Sequence, residues 1–205
     1  MNKIITIGRE FGSGGRELGQ RLAEKLGIAY YDGEIIRAIA ERSALAEDYV
    51  KQVVEKSIKT YYPITVANTF SAAFNSGDSI YAINRSIYAA QTEILNEMAE
   101  KSDCVIVGRC SGHVLEAHHP FRVFVYAPIE ARIARCRAKG EDGEGLSDRE
   151  LEKKIRAVDK SRGQYFRFYT GRNWLDFTNY DVCINTDGVN LDAAAEALAM
   201  LVKKR

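Results

Sequence analysis

The stretch "GREFGSGGRELGQ", residues 8–20, constrains this chain more than any other. It contains five glycines, follows the short β-branched run "KIITIG", and opens a segment in which Leu18, Leu22 and Leu26 mark one helical face before Gly27, a C-cap signal. Glycines at a strand-to-helix turn let successive backbone N–H groups point at one anion, and the helix N-terminus adds positive potential. The spacing predicts a strand–loop–helix turn holding phosphate on Gly12, Ser13, Gly14, Gly15, Arg16 and Glu17. The full pattern G-x-x-x-x-G-K-[ST] is not matched: Gly15 falls in the lysine slot, or Arg16 if the alignment shifts by one. The nearby cations are Arg16 within the turn and Arg9 on its near side. Arg16 is expected to do the lysine's electrostatic work, as a planar fork rather than a point charge. Glu17 has two readings, an approach to Mg²⁺ directly or through water, and a first-turn acid favoured by the helix dipole.

Further short apolar runs lie near 28–31, 104–107, 121–126 and 181–184, with helical spacing between them. Continuous apolar strands alternating with helices predict a parallel sheet covered on both faces, with the ligand at the carboxyl ends of its strands. Three features fall on that rim. Asp32 closes the second strand, with Arg37 a helical turn beyond it, and Arg109 in "VIVGRCSGH" closes the third. The third feature is "RELEKKIRAVDKSRGQYFRFYTGR", which turns strongly basic after Glu152 and contains Arg156, Asp159 and Arg162. Behind Gly140, Gly143 and Gly145, such a segment reads as a closing lid that brings cations to a transferring phosphate. Its aromatics would also suit stacking on single-stranded nucleic acid, but a formal net charge of +1 gives the chain no field to draw a polyanion.

The chain has 205 residues, 46% apolar and 28% charged, which suits one domain, 1–205, with mobile insertions at about 47–82 and 140–172. Tyr61, Tyr62, Phe70 and Phe74 give the first insertion enough aromatic area for a core or an interface, so a homodimer stays open. No run is long enough to span a bilayer, and "MNKIITIGRE" is not a signal peptide. Cys104, Cys110, Cys136 and Cys183 are scattered, without metal spacing. A cytoplasmic protein with reduced thiols and no membrane or nucleic-acid partner is expected. His113, His118 and His119 read as a surface loop rather than a metal site.

"ITIGREFGSGGRELG", "YYD", "CVIVGR", "DKSRGQYFRFYTG" and "NYDVCINTDG", in this order, resemble the cytidylate kinase-like proteins, a branch of the P-loop nucleoside monophosphate kinases. The resemblance spans nearly the whole chain and is weakest at 47–82. It implies an α/β P-loop NTPase fold, a five-stranded parallel sheet with helices on both faces, plus helical NMP-binding and lid segments. It implies ATP and Mg²⁺ as cofactors, small-molecule nucleotides as partners, and transfer of phosphate from ATP to a nucleoside monophosphate, most simply CMP. Gly12 to Glu17 would then hold the donor phosphates, Asp32, Arg37 and Arg109 would face the acceptor, and Arg156, Asp159 and Arg162 would form the lid's acid–arginine cluster. Authentic cytidylate kinases carry the loop lysine and an acid just before the glycine–arginine that Arg109 matches; this chain has Gly15 and Val107 there. A kinase for another small acceptor, and a nucleotide-binding module without turnover, remain the alternative readings.

Overall fold

Five apolar runs pair into one all-parallel sheet. The strands are β1 (Ile4–Arg9), β2 (Ala29–Tyr31), β3 (Cys104–Val107), β4 (Phe121–Tyr126) and β5 (Val182–Asn185), ordered β2-β3-β1-β4-β5. The computed structural model describes residues 2–48, 50–51, 74–140 and 145–204. Tyr61, Tyr62 and Phe70 of the expected interface, most of the first insertion, and Gly143 of the expected hinge lie outside them.

The alternation of side chains along each strand divides the core in two. On one face Ile5, Ile7, Val105, Val123 and Val125 meet α1 (Gly15–Leu26) through Leu18 and Leu22, and the last helix through Ala195, Leu198 and Val202. On the other, Ile4, Cys104 and Ile106 meet α2 (Glu34–Ser43) through Ile35 and Ile39, and α3 (Phe74–Lys101) through Ile87, Ile94 and Leu95. Burial on both faces is why β1 and β3 read as unbroken apolar runs. The α3 helix starts ten residues before Asn84, where the sequence pattern first reads as helical, and runs through Ser76, Gly77 and Asp78. These are weak helix formers, and a long helix propagates through them once it is nucleated.

The remaining helices are α4 (Ser111–Val114), α5 (Ile129–Lys139), α6 (Asp148–Thr170) and α7 (Leu191–Lys203). Ser147 and Glu150 close the capping box that starts α6: the Ser147 N–H donates to the Glu150 carboxylate at 2.8 Å, and the Glu150 N–H to Ser147 Oγ at 3.4 Å. A third cluster, Cys136, Leu151 and Ile155 with Phe11 and Ile133 against it, fastens α6 to α5 and to the glycine-rich loop. "GHVLEAHHP" is not an open loop but α4 followed by a 3₁₀ turn (Glu116–His118), where His118 Nε2 meets the Asn96 side-chain oxygen at 3.0 Å. The fold places the ends of β1, β2 and β3, the start of α1 and the middle of α6 around one space.

Candidate active site

The glycine-rich loop leaves β1 at Arg9 and enters α1 at Gly15. Gly12 and Gly14 have φ of 75° and 83°, left-handed values that favour glycine. At Gly12 a Cβ would also lie 3.0 Å from the Arg132 carbonyl and Cys136 Sγ, so α5 presses directly on the loop. The loop's carbonyls are tied outward. Ser13 Oγ donates to the Glu10 carbonyl at 2.9 Å, Arg135 donates to the Gly12 carbonyl at 2.9 Å, and Thr186 Oγ1 donates to the Ser13 carbonyl at 2.6 Å. Gly14 caps α1 without a side chain, so the first N–H groups of that helix are left for a ligand.

The candidate cations divide on inspection. Arg16 is engaged by Asp32: its Nε lies 2.7 Å from Asp32 Oδ2, and its side chain is 59% exposed. Arg9, by contrast, is nearly enclosed, with its side chain 11% exposed and Nη2 3.7 Å from Asp32 Oδ1. Burial, and after it the neighbouring Arg162, pull Arg9 well below the ordinary guanidinium range, with only Asp32 opposing. Arg109 is buried at the end of β3 with φ of 59°, and Cys110 follows at 52°. Two successive non-glycine residues in that region store about 1–3 kcal/mol each. The turn is held by the Gln91 side chain, which donates to the Arg109 carbonyl at 3.0 Å while accepting from the Tyr165 hydroxyl at 3.2 Å. Arg37 is exposed on α2 and is not among the described residues that line the cavity below.

Along α6, Asp159 and Arg162 reach the loop. Asp159 Oδ1 accepts from the Phe11 N–H at 2.7 Å, and its other oxygen pairs closely with Arg132. Arg162 donates to the Arg9 carbonyl at 3.1 Å and stands 5.5 Å from the centre of the Phe11 ring. Arg156 points to solvent and pairs with Glu152 at 2.7 Å. The segment expected to act as a lid is thus seated on the loop, with Asp159 tethering the backbone. Glu17 sits between Lys139 at 2.9 Å and Arg21 at 2.8 Å, and their N–H groups, Lys139 first, hold its carboxyl below the usual range. Burial pushes Glu10 up, against the pull of Arg132.

These groups open on a cavity of about 400 Å³ lined by Arg9, Arg16, Arg109, Arg162, Arg122 and Arg172 among others. Among the described residues lining it there is no aspartate or glutamate. Its far wall is aromatic: Trp174 and Tyr180 pack on Phe124, with ring centres 5.4 and 4.7 Å away. Arg122 reaches it paired with Asp181 at 3.4 Å, and Arg172 paired with Glu116 at 3.3 Å. Sequence reasoning missed this wall, together with Arg132, Arg135 and Thr186. The arginines at 132 and 135 had a usable signal, a three-residue spacing that puts both on one face of α5. Thr186, just beyond β5, stood on the same strand-end rim.

The chain matches the model of the "Cytidylate kinase-like family" over residues 4–188. It is 26% identical to a cytidylate kinase of Methanobrevibacter smithii over 98% of both chains. Among solved structures, an uncharacterized protein from Eubacterium ventriosum superposes with a TM-score of 0.68 at 24% identity over 99% of both chains. A shikimate kinase from Bacteroides thetaiotaomicron superposes with a TM-score of 0.58 at 17% identity, again over 99% of both. The parallel sheet with helices on both faces is the P-loop NTPase fold of those kinases. No described helix is long and apolar enough to cross a membrane.

Proposed function

We propose a function from one premise: this chain belongs to the cytidylate kinase-like family. The reaction is phosphoryl transfer from ATP to a nucleoside monophosphate, CMP in the simplest case. An oxygen of the acceptor's phosphate attacks the γ-phosphorus, the bond from that phosphorus to the bridging oxygen breaks, and ADP leaves with the electron pair. The observation that carries this reading is the arginine-rich cavity at the ends of β1 and β3, with no aspartate or glutamate among the described residues that line it. A phosphate acceptor brings its own anionic nucleophile, so the site needs positioning and charge neutralisation rather than a base. Asp32, which would be the base for a hydroxyl acceptor, lies between Arg9 and Arg16 instead.

In this reading the N–H groups of the loop from Gly12 to Glu17 receive the ATP phosphates, and Arg109 and Arg162 hold the acceptor phosphate and the charge that develops in transfer. Loss of one such contact costs about 3–4 kcal/mol, on the order of 10²–10³ in rate. The described acids do not form a cage for Mg²⁺. No group of three or more His, Cys, Asp or Glu among them could hold an ion, and Glu10, Glu17 and Asp32 are each beside arginine or lysine. Mg²⁺ would enter on the ATP phosphates.

ADP production tested with CMP, UMP, AMP and GMP, and with cytidine and shikimate as hydroxyl acceptors, decides the matter. Turnover with a monophosphate and none with cytidine is expected. ATP binding without ADP from any acceptor would leave a binding module, and turnover with shikimate alone would make it a hydroxyl kinase.

A further inference from the structure

If the loop holds a nucleotide's phosphates, as proposed above, it needs a cation that Gly15 cannot supply. We propose that Arg9 is that cation, delivered from the end of β1 through the space that a side chain at position 15 would fill. This rests on the kinase reading for the identity of the anion and on geometry for everything else.

Arg9 and Gly15 exclude one another. A Cβ built on Gly15 would lie 2.5 Å from Arg9 Cβ and 3.0 Å from its Cγ, closer than real Cβ atoms come, with Val125 Cβ next at 3.3 Å. Gly15 does not have a left-handed backbone, so the reason for glycine there is the arginine stem and not a turn. The far end of the same side chain lies against a second glycine, Gly108, whose φ of 78° already favours glycine. At Gly108, just past β3, a Cβ would fall 1.7 Å from Arg9 Nη1 and 2.8 Å from Cζ, so the guanidinium occupies the space a side chain there would need. Two glycines on two elements thus form a channel for one arginine, from the start of α1 to the end of β3.

What the channel delivers is charge without a full complement of partners. The Arg9 Nε is buried and has no hydrogen-bond partner, and Asp32 Oδ1, the nearest carboxylate oxygen, has none either. Arg16, Arg109 and Arg162 each act on the charge of Arg9, with Asp32 as the acid among them. Holding like charges together in a partly closed cavity is unfavourable unless an anion joins them. A guanidinium stays protonated in such a place, so the arrangement is poised for phosphate oxygens. Arg16, exposed and engaged with Asp32, does not have this placement.

Four variants test the assignment, read by calorimetric titration of ATP with Mg²⁺ at low salt and by thermal unfolding. Arg9→Met keeps the stem and removes the charge. It is expected to weaken ATP binding about 10- to 100-fold, the range for a lost charged hydrogen bond, while melting no lower than wild type. Gly15→Lys alone is expected to lower the melting temperature, because the new Cβ meets the Arg9 stem, and to gain no affinity. Arg9→Gly removes both clashing atoms and loses affinity as Arg9→Met does. Combining Arg9→Gly with Gly15→Lys moves the cation to the other wall of the channel and is expected to restore ATP affinity to within about 5-fold of wild type. The assignment is overturned if Arg9→Met binds ATP as tightly as wild type, or if the double variant folds and binds no better than Arg9→Gly. Arg9→Met decides alone should the lysine variants fail to fold. Wild-type protein that binds ATP but phosphorylates no acceptor would sink the kinase reading and leave this one standing. Wild-type protein that binds no ATP would sink both.

Discussion

Asp159→Ala separates a tether from a lid acid, and the structure fixes the size of the effect. Asp159 accepts the Phe11 N–H at 2.7 Å and pairs with Arg132; their side chains are 15% and 7% exposed. Removing the carboxylate deletes one charged hydrogen bond to the backbone, about 1.5–3 kcal/mol. It also strands a buried guanidinium, and breaking a buried pair from one side costs about 3–5 kcal/mol in all. Arg132 keeps Glu10 at 3.7 Å and the Phe11 carbonyl at 3.4 Å, which places the loss at the lower end. About 3 kcal/mol in a chain of this size corresponds to a melting-temperature drop of about 6–12 °C. Asp159→Asn keeps an acceptor for Phe11 and should fall roughly half as far. Joint replacement, Asp159→Leu with Arg132→Met, should recover most of the loss, because the desolvation of both charges disappears with them. Differential scanning calorimetry of unliganded protein measures all three. A drop of less than about 2 °C for Asp159→Ala would refute the reasoning and return Asp159 to the role of an acid that works only when nucleotide is bound.

Arg109→Gly relieves a φ of 59°, so its melting temperature should stay within about 3 °C of wild type while CMP affinity falls about 10-fold or more; a large melting loss with unchanged CMP affinity would make Arg109 structural. Gly108→Ala puts a Cβ into the Arg9 guanidinium and should weaken ATP binding more than Arg16→Ala does, as titration calorimetry would show. Glu17 has a depressed folded pKa, so its stabilisation is full above its unfolded value of about 4.3 and is lost as pH falls through the lower folded value. Glu17→Gln should therefore lower urea-unfolding stability by a constant amount above about pH 5 and converge on wild type in acid; a constant difference down to pH 3 would refute the pairing with Lys139 and Arg21.

The sheet and its parallel sense were legible because they follow from pattern. A strand buried on both faces must be largely apolar: β3 is so throughout, and β1 and β4 are so for most of their length, with Arg9 and Arg122 toward their ends. The strand–loop–helix turn was legible because Gly12 and Gly14 need backbone conformations that other residues resist. Much of the site was not legible, since its contacts join residues far apart in the chain. Asp159 lies 148 positions from the Phe11 N–H it accepts, and Thr186 lies 173 from the Ser13 carbonyl. Spacing rules for one helix pair Asp159 with Arg162, which is a real contact at 3.7 Å, but they cannot reveal that α5 supplies the nearer arginine.

The expectation for Arg16 rested on sequence position alone. From sequence, a cation in the first turn of a helix is the natural replacement for one missing a residue earlier. In space, Arg16 pairs with Asp32, just beyond β2. Arg9 approaches from the strand, six positions earlier, and strand alternation sends its side chain to the same face as Ile5 and Ile7, the face that α1 covers. It must therefore pass beneath the helix start, and only a glycine at position 15 lets it through. The lysine slot is empty because the space belongs to a different residue, so a missing motif residue in this fold is evidence of lost function only after the packing around its slot has been inspected.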